Sequence, residues 1–288
     1  MTRLVTVEDL DAIAALTAAH RRRLASWSPR WWRIAERADD LHRGWLLHLI
    51  EAEGTTVRVT TEHGHVVACA AAVPQGPGWV VDDVAVTDDE RWSDLGVELL
   101  DAFDERPALT CVPTQHLARR AASEAAHLHH VSSYWIRPTS PAGAPDLPRP
   151  SGAGTLPPAP PHTFGGPLDA SATGALTIAG DDGGVLVGSP SIVAPPVYDP
   201  GGTVCIVDRV TGDPAPLLEL ALRGCGARGD VLLAVVAGID DDRLRAGLRD
   251  LDFERTVDVF AWPSGRDRPR WRAGHGASSS DQQWGGPH

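Results

Sequence analysis

The first 138 residues alternate between the hydrophobic period of a strand and that of a helix. β-Branched and alternating apolar runs predict six strands, and apolar residues spaced three and four apart predict four helices. The strands are expected at 4–7, 56–61, 65–73, 80–86, 108–112 and 131–136, and the helices at 10–24, 41–51, 95–103 and 115–128. The order is strand, two helices, three strands, helix, strand, helix, strand, which predicts an α/β fold.

Two local signatures mark the ends of these elements. Thr6 precedes the first helix and Asp9 follows three residues later, which is the spacing of a capping box. Glu62, His63 and Gly64 separate two strand-like runs and predict a tight hairpin.

The stretch 80–103 joins a buried strand to an amphipathic helix. Its first seven residues are mostly β-branched or apolar, and its last nine carry apolar residues at helical spacing. The first turn of such a helix has backbone N–H groups without partners, and the helix dipole adds partial positive charge. Phosphate groups bind readily at such a junction.

The residues at this junction resemble a signature of the GNAT superfamily, the acyl-CoA-dependent N-acyltransferases. The signature is Q/R-x-x-G-x-G/A, and the matching residues are Arg91, Trp92, Ser93, Asp94, Leu95 and Gly96. The arginine and the last glycine are kept, but Asp94 replaces the first glycine. The alternative is an ordinary helix start capped by Ser93.

The resemblance implies a mixed, mostly antiparallel central sheet flanked by helices, with acetyl-CoA as co-substrate. It implies that the six signature residues hold the CoA pyrophosphate. It also implies that strand amides bond the pantetheine arm, which here are those of Val84, Ala85 and Val86. A carboxylate at Asp94 is unfavourable for a bound diphosphate.

Two acidic residues on the same strand are the candidates for catalysis. Asp83 is the preferred general base and Asp82 is nearly as well placed; because strand side chains alternate faces, only one is expected to point at the acceptor. The alternative is that both are solvated or paired with arginine. The tyrosine that the family commonly uses as general acid is missing, since Ala122 matches its position and Leu248 matches it in the second half.

Three tryptophans in or beside the first two helices are candidates for an acceptor pocket. Trp31, Trp32 and Trp45 would suit an apolar or cationic acceptor. The alternative, slightly favoured, is that they pack the helices on the sheet.

The pattern restarts after a segment rich in proline and glycine. Residues 175–189 lie over 56–70 without gaps, with Gly183 on Gly64, and predict an internal repeat. The predicted organisation is a GNAT-like domain at 1–138, a linker at 139–167, a partial, degenerate GNAT-like domain at 168–265 and a disordered tail at 266–288.

Composition limits which binding partners and which cellular compartment are expected. A formal net charge of -12 argues against nucleic acid and anionic membranes as partners. The sequence has no membrane-spanning apolar run and no signal-peptide pattern, so a cytoplasmic monomer or homodimer is expected. The four cysteines lack metal spacing and predict buried thiols. Two histidine groups, 63–65 and 127–130, offer too few ligands, so no metal is expected.

Together these features predict an N-acetyltransferase that acts on a primary amine of a small molecule or a peptide N-terminus. The alternative is a catalytically inactive GNAT-like scaffold that binds a ligand or a protein partner. Asp94 and the missing tyrosine favour the scaffold, whereas Arg91 and Gly96 favour the enzyme.

Overall fold

The computed structural model describes residues 1–75, 78–103, 108–140, 175–180, 183–191 and 197–263. The strands are β1 (Thr2–Leu4), β2 (Thr56–Glu62), β3 (His65–Gln75), β4 (Gly78–Val86), β5 (Ala108–Pro113), β6 (His129–Pro138), β7 (Leu176–Ala179), β8 (Val185–Ser191), β9 (Val204–Val210), β10 (Leu232–Gly238) and β11 (Glu254–Ala261). The helices are α1 (Leu10–Trp27), α2 (Ala38–Glu51), α3 (Leu95–Asp101), α4 (Leu117–Ala125), α5 (Pro214–Arg228) and α6 (Asp242–Asp250).

The predicted order of elements in the first half is confirmed, with small shifts at the ends. β1 lies at Thr2–Leu4 rather than 4–7, because a 3₁₀ turn at Val7–Asp9 leads into α1. The Asp9 carboxylate accepts a hydrogen bond from the Thr6 backbone N–H at 2.9 Å, as the predicted capping box requires.

The eleven strands of the described residues form one sheet, in the order β1-β2-β3-β4-β5-β11-β6-β10-β9-β8-β7. The pairs β4–β5 and β9–β10 are parallel, and every other neighbouring pair is antiparallel. The predicted α/β class with a mixed, mostly antiparallel sheet is confirmed.

The second half repeats the topology of the first. The series β2-β3-β4-α3-β5-α4-β6 corresponds to β7-β8-β9-α5-β10-α6-β11. Gly64 (φ 83°) and Gly183 (φ 79°) occupy equivalent turns between the paired strands, as the sequence repeat predicts. Helices equivalent to α1 and α2 are absent from the described residues of the second half.

The two halves exchange their last strands. β11 lies between β5 and β6, and β6 lies between β11 and β10. The sheet is therefore continuous, and each half borders a strand of the other. The domain boundaries stay a prediction; the linker beyond residue 140 and the tail lie outside the described residues.

Helices cover both faces of the first half of the sheet. Side chains of α1 and α2, including Ile13 and Leu46, pack on one face, and those of α3 and α4, including Leu99 and Ala122, pack on the other. No described helix is both long and apolar enough to cross a membrane. The four cysteines form no disulfide with one another, and all are buried except the partly exposed Cys111.

Candidate functional site at the bulge of β4

Strands β4 and β5 run in parallel over three residue pairs and then part. The pairing begins at Trp79 with Ala108 and ends at Val81 with Thr110. Beyond it, residues 82–86 of β4 and 111–113 of β5, all of them described, make no further pairs with each other. This unpaired part of β4 contains the three residues predicted to contact pantetheine, Val84, Ala85 and Val86.

A β-bulge lies directly after this point. The register with β3 shifts after Asp82, so that Asp83 and Val84 together face a single residue of β3. Asp83 has φ 52°, in the left-handed region that aspartate tolerates better than β-branched residues do.

The bulge places both carboxylates on one face of the sheet. Asp82 lies opposite Ala71, which packs in the cluster beneath α1 and α2, and Asp83 contacts His42 of α2. Val84 packs in the cluster beneath α3 and α4. The expectation that only one of Asp82 and Asp83 can face the acceptor side is therefore wrong, because the bulge adds a residue and shifts the alternation.

A buried polar chain fixes the Asp83 carboxylate. His42 Nε2 lies 2.9 Å from Asp83 Oδ1, and His42 Nδ1 faces the guanidinium of Arg21. Because a guanidinium only donates, Nδ1 is the acceptor and the ring proton lies on Nε2, which donates to Asp83. Arg21 also donates to Asp39 Oδ1 at 2.6 Å.

Asp82 is the accessible member of the pair. It is exposed to water, whereas Asp83 is only partly exposed. The protein atoms around its carboxyl raise its pKa, and the charge of Asp83 raises it further. No described side chain donates a hydrogen bond to it. A raised pKa combined with water access suits a general base.

Two arginines lie on the edge of β4 that β5 leaves unpaired. Arg119 of α4 donates to Val84 O at 3.4 Å and to Thr110 Oγ1 at 3.0 Å, and Arg23 of α1 donates to Val86 O at 3.2 Å. Arg119 is 4% exposed, and burial lowers its pKa to about 10. The Arg119 guanidinium therefore occupies the opening between the two strands.

The strand-to-helix junction differs from the predicted single helix start. A 3₁₀ turn at Asp89–Ser93 precedes α3, which begins at Leu95 and has seven residues. Ser93 Oγ donates to Glu90 O rather than capping α3, whose N-cap position is Asp94. The alternative reading of a helix capped by Ser93 is therefore wrong. Leu95 is buried in the core beside α4.

Arg91 is held by two carboxylates. Its Nη1 and Nη2 donate to Glu62 at 3.1 and 2.7 Å, and its Nε donates to Asp94 Oδ2 at 3.0 Å. Hydrogen bonding to Arg91 lowers the pKa of Glu62. The Leu95 amide and then Arg91 lower the pKa of Asp94. The Asp94 carboxylate thus lies against an amide that the resemblance assigns to a diphosphate.

Trp92 and Gly96 pack on each other. Trp92 is 1% exposed, and a Cβ added at Gly96 would lie 2.5 Å from Trp92 Cε3. Gly96 is therefore required by the packing of the indole, whatever its relation to a phosphate.

The three predicted acceptor-site tryptophans do not form one group. Trp31 is buried and packs on Trp32 and Tyr134, each with ring centroids 6.0 Å apart. Trp45 is 46% exposed on α2, and its ring contacts His48. Trp31 and Trp32 lie on the face of the sheet that carries Asp82 and Asp83, whereas Trp45 projects into solvent.

Sequence reasoning missed Tyr198, which the second half contributes to this face. Its ring lies 5.1 Å from that of Trp32, and its backbone bridges to Ile34. Burial raises the pKa of Tyr198, and the charges of Asp83 and Asp82 raise it further. Nothing in the local sequence around Tyr198 indicates this contact.

The position matched to the family's tyrosine holds a small buried residue. Ala122 of α4 is 2% exposed, and Leu248 of α6, its counterpart, is fully buried. Neither donates a proton, so solvent would have to protonate a departing thiolate at this site.

The predicted histidine groups do not form a ligand set. His63 lies on the hairpin turn, and His130 Nε2 lies 2.9 Å from both Ser132 O and Ser133 Oγ. Among the described residues, the group with metal-compatible spacing is Cys205, Cys225 and Asp230, all buried in the second half.

The similarity of this chain to known proteins lies in its fold rather than in its sequence. No family model matches the chain, and no curated protein matches its sequence. A proposed acetyltransferase from Thermoplasma acidophilum superposes with a TM-score of 0.54 at 13% identity, over 92% of this chain and 100% of that one. A GCN5-related N-acetyltransferase from Sphaerobacter thermophilus gives 0.49 at 14% identity, over 91% and 94%.

A tandem GNAT protein from the clavulanic acid biosynthesis pathway gives a TM-score of 0.44 at 14% identity, over 91% of this chain and 97% of that one. The superposition on the Thermoplasma acidophilum protein, which extends over nearly the whole of this chain, shows a GNAT-like fold, with two repeated halves in one continuous sheet.

Proposed function

We propose that this protein is an N-acyltransferase that moves an acetyl group from acetyl-CoA to a primary amine of a small molecule or a peptide N-terminus. The observation that carries the proposal is the bulge of β4. It brings Asp82 and Asp83 to one face at the point where β4 and β5 part. An accessible carboxylate with a raised pKa stands there beside a carboxylate that is fixed by His42.

In the proposed reaction, the thioester lies along the unpaired edge of β4 and the amine approaches from the α1–α2 face. The amine nitrogen attacks the thioester carbonyl, and Asp82 accepts the proton that the nitrogen loses. The C–S bond then breaks and the thiolate leaves as CoA. Because Ala122 cannot donate, water returns a proton to the thiolate.

Binding of CoA requires two rearrangements. A diphosphate at the junction has to displace Glu62 and Asp94 from Arg91, which costs little because exposed ion pairs are weak. Pantetheine has to replace the Arg119 guanidinium on Val84 O. Among the described residues, Arg119 hydrogen-bonds neutral groups and stacks over Trp92 at 5.6 Å, and the carboxylates of Asp82 and Asp83 act on it by charge without hydrogen-bonding it.

The second candidate is a GNAT-like scaffold without catalysis, which binds a ligand or a protein partner. Two observations favour it: Arg119 fills the opening, and Asp94 lies against the first amide of α3. Under this alternative both features are permanent.

Calorimetric titration with acetyl-CoA separates the two candidates. For the transferase we expect binding that Arg119→Met strengthens, because methionine is flexible and leaves Val84 O free. We expect Arg91→Met to weaken binding about tenfold, in keeping with one lost charge-assisted hydrogen bond.

The control is Arg43→Met, which removes an exposed arginine of α2 paired with Asp11 and should leave binding unchanged. Absence of heat for both the natural chain and Arg119→Met at millimolar acetyl-CoA would establish the scaffold instead.

A further inference from the structure

A small cavity lies on the face of the sheet opposite Asp82 and Asp83. Its volume is about 80 Å³, and β2, β3, β4, β5 and the end of α3 border it. Trp79 and Val81 line it from β4, in the part of that strand that still pairs with β5, and Val81 packs in the cluster beneath α3 and α4. The cavity is therefore separate from the opening between the two strands and from the acidic pair.

The helix α3 separates the cavity from the predicted phosphate junction. Arg91 and Asp94 precede this helix, whereas Ala102 and Phe103, which line the cavity, follow it. Seven helical residues rise about 10 Å. A ligand in the cavity would therefore leave the junction free.

A small side chain on β3 explains why the cavity exists. Ala72 lies opposite Thr56 of β2 and Val81 of β4, so a single methyl group covers the floor between the two neighbouring strands. Trp79 and Phe103 supply aromatic walls without filling the space above this floor. A water molecule takes up about 30 Å³ and an apolar cavity of about 150 Å³ accepts benzene, so this cavity suits an apolar group of roughly three carbons.

Arg58 of β2 brings a positive charge to the cavity. Val57 and Val59 pack beneath α1 and α2, so Arg58 points to the other face, where its guanidinium carbon lies 5.7 Å from the centre of the Phe103 ring. Its Nε is buried and hydrogen-bonds no described residue, and no described carboxylate pairs with the guanidinium. The group therefore has donors that the described residues leave unsatisfied, which is unfavourable in a partly buried position.

A carboxylate with a short apolar group matches these neighbours. The planar fork of a guanidinium donates two parallel hydrogen bonds to a carboxylate. Thr56 lies two residues from Arg58 on the same face of β2, and its hydroxyl, which hydrogen-bonds no described residue, offers a third donor. Val81 and Phe103 would contact the apolar group. A phosphate fits less well, because its remaining oxygens would lie against these apolar walls and the carbonyl end of α3.

We infer that Arg58 and Thr56 bind the carboxylate of a small organic acid whose apolar group lies in the cavity between Val81 and Phe103. This is a second ligand site of the first half, on the opposite face of the sheet from the acidic pair. It shares no residue with the proposed transfer reaction and does not depend on it.

The test is a titration of the full chain with butyrate, followed by ligand-observed saturation-transfer NMR at neutral pH. Butyramide is the uncharged counterpart of nearly the same shape, and inorganic phosphate is the anion without an apolar group. We expect butyrate to bind in about the millimolar range, as its size allows, and about tenfold more tightly than butyramide. An equal concentration of phosphate should not displace butyrate.

Two variants locate the site. Arg58→Met keeps an unbranched apolar side chain and removes the charge, so it should weaken butyrate binding about tenfold. Thr56→Val keeps the shape and removes the hydroxyl, and should weaken binding about threefold. The matched control is Arg22→Met, which removes an exposed arginine of α1 that pairs with no described residue and should leave binding unchanged.

Four results would overturn the inference: no butyrate binding at tens of millimolar, equal affinity for butyrate and butyramide, displacement of butyrate by equal phosphate, or unchanged binding in Arg58→Met. Acetyl-CoA is titrated separately into the natural chain and Arg58→Met, and should behave alike in both. Failure of acetyl-CoA to bind refutes the transferase alone, because butyrate binding does not require it.

Discussion

His42 Nε2 donates a hydrogen bond to Asp83 Oδ1 across 2.9 Å, from the middle of a buried helix face to a strand residue with φ 52°. The contact joins α2 to the bulge of β4. It also gives a physical reason for an aspartate at a backbone position that most residues avoid.

Asp83 should therefore tolerate asparagine but not valine. Asparagine keeps an oxygen for His42 and tolerates the left-handed region, so Asp83→Asn should change the free energy of unfolding by less than about 1 kcal/mol. Asp83→Val loses the acceptor and adds backbone strain, and should cost about 2–4 kcal/mol. Urea unfolding measures both. Asp82→Val, on the same strand without a positive φ, should cost less than about 1 kcal/mol; equal costs at the two positions would contradict this account.

Packing between Trp92 and Gly96 predicts that a methyl group at position 96 is destabilising. A Cβ there lies 2.5 Å from the indole, so Gly96→Ala should cost about 1–3 kcal/mol by overpacking. Adding Trp92→Leu should recover part of that loss, as a double-mutant cycle in thermal unfolding would show. Gly44→Ala is the control: no atom lies within 4 Å of its added Cβ on α2, and it should be neutral or stabilising. If Gly96→Ala is as stable as Gly44→Ala, the indole of Trp92 does not pack closely on Gly96.

His116 predicts a loss of stability in mild acid. Burial, and then the charge of Arg119, lowers its pKa from 6.5 to about 4. The unfolded chain therefore binds more protons than the folded chain between these values, and stability falls as the pH drops from 6.5 towards 4. For one histidine, the loss in the free energy of unfolding amounts to about 2–3 kcal/mol.

Denaturant unfolding at pH 7 and at pH 4.5 measures this dependence. His116→Gln should lose about 1–2 kcal/mol less than the natural chain over that interval. His129→Gln removes an exposed histidine and should leave the dependence unchanged. The same pH dependence in His116→Gln as in the natural chain would rule out this origin.

The exchanged strands predict that the first half does not fold alone. A chain that ends at Pro138 lacks β11 and β10, the two neighbours of β6, and the buried Phe260 and Val259 of β11. It should show no cooperative thermal transition and should aggregate through its open strand edges. A chain that ends at Pro263 retains every described strand and should unfold cooperatively. A sharp transition in the shorter chain would show that β6 can pair within its own half.

Local sequence patterns predicted most helices and strands, but they did not predict how these elements pair with each other in the sheet. The hairpin at Gly64, its repeat at Gly183 and the capping box at Thr6 each depend on a few adjacent residues, so spacing alone revealed them. The bulge at Asp83 was missed because an aspartate in a β-branched run fits both a regular strand and a bulge. Only the register with β3 distinguishes the two.

The sequence by itself determined the α/β class, the order of the elements and the repeat, because periodicity and turn residues act over short distances along the chain. Tertiary structure alone decided three features: the insertion of β11 between β5 and β6, the position of Arg119 between β4 and β5, and the placement of Tyr198 beside Trp32. Each depends on a contact between residues remote in sequence or on where a long side chain finds hydrogen-bond acceptors. The energy of such contacts is set by the packed fold as a whole.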